Sequence, residues 1–262
     1  MSDMNTPQTP STSYARSDVA PQMSTPQTLT SIFFEPGSTF DALRARPRFL
    51  VASLILAALM TVFTIALFQK LGFENFMRQQ IENSPRTAQM TPEQKEQAIS
   101  MQTSPIVKGI SYASPPIFIL ITFAAGGALY LLGSMLMGGA ISYKQALSVW
   151  VYSSFPPTIL SLIANFLILF LKSADDIDPS RGGGNLVRAN LGGLLGPDAS
   201  PVLAAVLNTF DIFTFFGLFL GALGLRKVAR LSSSSAWVVV LGLWLVGIVL
   251  KIGWASIFGR AM

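Results

Sequence analysis

The stretch Ile141 to Lys172, ISYKQALSVWVYSSFPPTILSLIANFLILFLK, restricts the folds open to this chain more than any other part of it. From Ala146 to Leu171 no side chain is charged, and roughly 20 apolar residues suffice to cross about 30 Å of hydrocarbon. Such a segment belongs in a bilayer. Pro156-Pro157 stands in its middle, removing two backbone donors and disfavouring helix at the residue before the pair. The pair predicts a short helix over 146–154, a kink, and a second helix from Pro156.

The rest of the chain repeats the theme. Charged residues are 12% of the sequence and hydrophobic ones 51%, against a charged fraction of about 25% in soluble domains. Apolar runs predict spans at about 49–69, 116–137, 146–171, 201–225 and 236–258. The expected fold is therefore all-α, a five-transmembrane-helix bundle with a kinked third helix. In the first loop Phe73, Phe76, Met77 and Ile81 recur at helical spacing, which predicts a short amphipathic helix. Thr91-Pro92-Glu93-Gln94 has the form of a capping box with proline at the first helical position and predicts another.

Before the first span two segments differ in kind. Residues 1–31 are rich in Ser, Thr, Pro and Gln, bury too little to offset their ordering entropy, and are expected to form a disordered tail. In residues 32–48, Phe33, Phe34 and Phe40 stand beside Arg44, Arg46 and Arg48. Apolar anchors next to arginines suit an interfacial segment lying on anionic membrane lipids; a simple turn that orients the next helix is the other reading.

Several function classes fall away. With no histidine and no cysteine, the chain lacks Ser-His-Asp, Cys-His and HExxH chemistry and thiolate metal sites, so neither an enzyme nor a metal or other cofactor is expected. Asp175, Asp176 and Asp178 lack the full calcium-loop pattern, and Gly182 to Gly184 lacks the Lys-Ser/Thr of a phosphate loop. The net charge of +5 sits at segment ends, where it orients membrane proteins, and does not point to nucleic acid. The density of Lys and Arg around Arg44, Lys144 and Arg226 favours a cytoplasmic N-terminus.

Charge within the expected spans is confined to Asp211 and Lys251. On antiparallel helices they would lie at similar depths, with Asn208 one turn from Asp211 and Asn165 nearby on the third helix. An intramembrane charge costs at least about 2.5 kcal/mol and normally faces a partner. These four residues thus form a candidate polar layer, read as a structural ion pair, as a snorkelling lysine beside a separately satisfied aspartate, or as a proton or solute path.

The entry Phe34-Glu-Pro-Gly-Ser-Thr-Phe40, the run Gly139-Ala-Ile-Ser-Tyr-Lys-Gln-Ala-Leu-Ser-Val-Trp-Val-Tyr-Ser-Ser-Phe-Pro-Pro157, and Asn190-Leu-Gly-Gly before Asp211-Ile-Phe-Thr resemble a bacterial member of the Yip domain (Ypt/Rab-interacting protein) family over residues 32–258. The Asp-Leu-Tyr-Gly-Pro motif of eukaryotic relatives is absent, so Rab binding does not carry over. The resemblance implies a multi-pass protein of the bacterial inner membrane with a cytoplasmic N-terminus and no enzymatic activity. It also implies a scaffold or membrane-organising role, as an accessory subunit partnering an export-type ABC transporter. A small transporter or channel passing Asn165, Asn208, Asp211 and Lys251 is the alternative.

Overall fold

The structure, a computed structural model, describes residues 22–82, 84, 87, 89–177, 186–196 and 199–258. Residues 1–21 of the expected tail, Asp178 and Gly182 to Gly184 lie outside them. The described residues form ten α-helices and no strand. Two short helices open the chain, α1 (Thr25–Phe34) and α2 (Pro36–Ala45). They are followed by α3 (Leu50–Leu71), α4 (Phe73–Glu82), α5 (Pro92–Gln102), α6 (Pro105–Leu136) and α7 (Tyr143–Leu171). The last three are α8 (Pro201–Leu207), α9 (Ile212–Val228) and α10 (Ser233–Phe258). Four helices, α3, α6, α7 and α10, are long and apolar enough to cross a membrane.

Glycines set the packing. A Cβ on Gly127 of α6 would lie 2.9 Å from the Leu147 backbone, and one on Gly126 would collide with the Trp150 ring. A Cβ on Gly224 of α9 would lie 2.6 Å from Val149. Small residues let backbones approach where lipid offers no hydrophobic drive between helices. These contacts place α7 at the centre, against α6, α9 and α3, while α10 packs on α9, α8 and one end of α6.

Three expectations need correction. First, α7 runs unbroken through the proline pair rather than splitting into two helices. Pro156 and Pro157 are buried in the bundle, with Pro157 against Gly217 of α9. Neighbouring helices tolerate such a pair inside a membrane bundle.

Second, the expected span 201–225 is two helices separated at 208–211. Asn208 caps the C-terminus of α8, Thr209 Oγ1 donates to the Ala205 carbonyl at 2.9 Å, and Asp211 caps α9. Side chains of this kind compete for the backbone groups that a helix needs.

Third, residues 25–31 are not tail but helix, capped by a Ser24–Gln27 capping box. With α2 they pack into the bundle. Ile32, Phe40 and Leu43 are fully buried in the main core. The first-loop helices occur where expected, with the Thr91–Gln94 capping box present.

Candidate functional site

Asn165 and Asp211 of the expected polar layer each have local partners, and no hydrogen bond or contact-distance ion pair joins the four residues, although the Asp211 carboxylate acts electrostatically on Lys251. Asn165, buried on α7, is held by its Nδ2 donating to the Ser161 carbonyl at 2.8 Å. Its Oδ1 accepts from the backbone N–H groups of Leu186 at 2.6 Å and Val187 at 3.2 Å. A single amide therefore ties the loop after α7 back to the bundle. Buried backbone donors must find a partner, and a side chain that both donates and accepts can serve there.

Asp211 accepts from the N–H groups of Phe213 at 2.8 Å and Thr214 at 3.0 Å, the geometry of an N-cap carboxylate on a helix dipole. Its backbone pairs in an isolated antiparallel bridge with Asn190. Asn208 packs against Gly192, at a distance a Cβ there would not permit. Lys251 on α10 is half-buried and makes no ion pair with Asp211 among the described residues. Gly192 and Asn190 were legible only as loop residues; their use as a seat for the 208–211 junction depends on a fold-back no local pattern encodes.

The expected membrane-surface residues separate. Phe34 is 85% exposed, whereas Phe33 meets Phe155 of α7 edge-on at 6.1 Å and Phe40 is fully enclosed against Gly224 and Val149. Phe40 is a core residue, not a lipid anchor. Arg46 is exposed, Arg44 and Arg48 are half-buried, and Arg48 donates to Thr25 Oγ1 at 3.1 Å.

Two links missed in the sequence fix this N-terminal pair of helices. Lys227 of α9 meets Asp41 of α2 at 2.8 Å. Gln145 completes a capping box with Ser142 at the start of α7 and donates its Nε2 to the Arg44 carbonyl at 2.8 Å. The Ser-x-x-Gln spacing signalled the cap; nothing local signalled the second bond.

At the end of α3, where Phe73 and Phe76 of α4 pack on Phe68, α4 and α5 are joined by Arg78, which contacts Glu96 at 2.5 Å, Glu74 at 3.6 Å and Glu82 at 3.9 Å. The hydrogen bond from Arg78 holds the Glu96 carboxyl below the usual carboxylate range. Backbone hydrogen bonding at the α5 N-terminus, with Thr91, lowers Glu93 as well.

A partly open cavity of about 690 Å³ lies among α3, α6, α7, α9 and α10. On α7, Ser154, Thr158, Ser161 and Asn165 line it at spacings of 4, 3 and 4, a single helical face. Its other walls include Phe63, Leu67, Leu129, Leu218 and Trp244. No charged side chain lines it. Among the described residues no group of His, Cys, Asp and Glu could hold a metal ion.

A family model described as the Yip1 domain matches residues 30–254 of the chain. The chain is also 27% identical over 224 residues to the membrane protein YknW of Bacillus subtilis (strain 168), covering 86% of this chain and 88% of that protein. No solved structure matches the chain.

Proposed function

The chain belongs to the Yip1 domain family, and from that premise we propose that it is a non-enzymatic membrane scaffold, an accessory subunit of an export-type ABC transporter in the bacterial inner membrane. The observation that supports this reading is that Asn165 and Asp211 are each satisfied by loop and cap contacts of their own. A proton or ion path needs such groups to face one another along a wetted route. Here they hold a shape.

In this reading the chain crosses the membrane five times. With α9 spanning about 25 Å at 1.5 Å per residue, α8 completes the fourth crossing. The N-terminus and the α1–α2 pair face the cytoplasm, and α4–α5 project on the opposite side as a docking platform braced by Arg78. Glycines of α6 and α9 are already used inside the bundle, which leaves that platform as the partner surface.

A photoreactive residue in place of exposed Gln97 on α5, with one at lipid-facing Leu245 as control, tests the reading in native membranes. An adduct between position 97 and an ABC permease or its extracytoplasmic partner is expected. Adducts to lipid alone at both positions would overturn it.

A further inference from the structure

The geometry points to the central cavity as a binding site for the acyl chain of a membrane lipid, entering sideways between α6 and α10 and held at its ester or hydroxyl end by the α7 hydroxyl row. A Cβ on Gly133 of α6 would lie 2.5 Å from Val239 of α10, so the helices touch at the end of the bundle nearest their connection to α7 and α9. Each packs mainly on other helices, α6 on α3 and α7, and α10 on α9 and α8. Leu129, one turn along α6 from Gly133, lines the cavity and is still 43% exposed. The cavity therefore opens on its flank, at a depth where a membrane supplies hydrocarbon.

The lining specifies what can enter. Aromatic and aliphatic side chains form most of it, and no charged group is present, so a solvated ion or charged headgroup gains nothing inside. The volume of about 690 Å³ falls within the roughly 300–1,000 Å³ of small-molecule sites, where a few placed polar groups fix orientation. Trp244 Nε1 is buried and has no hydrogen-bond partner. Its ring is held by Phe210 at 5.5 Å and Phe215 at 5.8 Å, so Trp244 forms a fixed apolar wall whose N–H is closed off from the chamber. Ser154 already donates to the Trp150 carbonyl at 2.9 Å, and Ser161 Oγ takes a hydrogen bond from Asn165 at 3.3 Å. Their oxygens can accept further. A row of hydroxyls in an apolar chamber, with Thr158 making no side-chain hydrogen bond of its own among the described residues, matches an uncharged ester or hydroxyl at the head of a hydrocarbon chain.

The full chain, reconstituted in vesicles of phosphatidylethanolamine and phosphatidylglycerol, is irradiated with a phospholipid carrying a diazirine in one acyl chain, and separately with a diacylglycerol carrying the same diazirine. Mass spectrometry then maps the labelled residues. Labelling of the cavity-lining Ser154, Thr158, Ser161 and Asn165 of α7 and of Val240, Leu243 and Trp244 of α10 is expected, and the two probes distinguish a phospholipid source from an uncharged glyceride. Thr158→Leu with Ser161→Leu, which fills the chamber, should cut that labelling at least fivefold while labelling of outward-facing Val249 persists. Thr158→Val keeps the shape but not the hydroxyl, and should leave the fold intact while reducing lipid retained through detergent washing about threefold. Labelling of wild type confined to outward-facing positions overturns the proposal, whether or not the variants fold.

Discussion

Asp211 separates a structural role from a charge-transfer role at the scale of one residue. As an N-cap it needs only a side-chain oxygen, which asparagine supplies equally well. Asp211→Asn should therefore retain stability in detergent, while Asp211→Ala loses about 1 kcal/mol, measured by denaturant titration of the purified protein. Equal loss in both variants would mean that the charge itself is required. Asn165 makes a sharper case, since its Oδ1 serves two backbone donors. In Asn165→Leu those donors lose their acceptor at a cost of about 1–3 kcal/mol. Hydrogen exchange should accelerate at Leu186 and Val187 before it changes in α7; unchanged protection there would remove the clamp from the account. Both residues stood out in the sequence as rare polar groups in apolar runs. Their partners did not, because each lies across a loop whose path no periodicity encodes.

At the scale of elements, helix existence was legible because length and the absence of charge are what a bilayer demands. The break at 208–211 was masked by the apolar residues on either side, which dominate hydropathy over a span-sized window. Asn208, Thr209 and Asp211 nevertheless carried the local signal for two caps back to back. The proline pair misled in the opposite direction, since a rule drawn from isolated helices ignores the neighbours packed around α7. Least legible was the burial of Phe40, because the space it fills is made by Gly224, far along the chain.

That pairing predicts that Gly224→Ala, whose Cβ would press on Val149 and Phe40, costs about 1–3 kcal/mol by overpacking. Adding Phe40→Leu should recover part of the loss in a thermal melt; additive losses would place Phe40 elsewhere. The α4–α5 brace carries a pH dependence. The folded-state pKa of Glu96 is depressed by Arg78, so the brace is at full strength above the ordinary carboxylate range and weakens as pH falls through the depressed value. Cross-linking between α4 and α5 should decline on acidification, and Arg78→Gln should abolish that dependence.

For the whole molecule, the parts combine into a bundle whose polar groups are used for shape. The N-terminal pair α1–α2 is bolted on by Lys227–Asp41 and by Gln145, and the α4–α5 platform is braced at the opposite end. On the proposed reading, an object built this way holds another protein. The most direct measurement is the stoichiometry of complexes captured from native membranes in mild detergent, comparing the wild type with the charge-neutral pair Asp211→Asn and Lys251→Met. The account predicts co-recovery of an export-type ABC permease at a fixed ratio that the double variant leaves unchanged. Recovery of the protein alone from both membranes would contradict it.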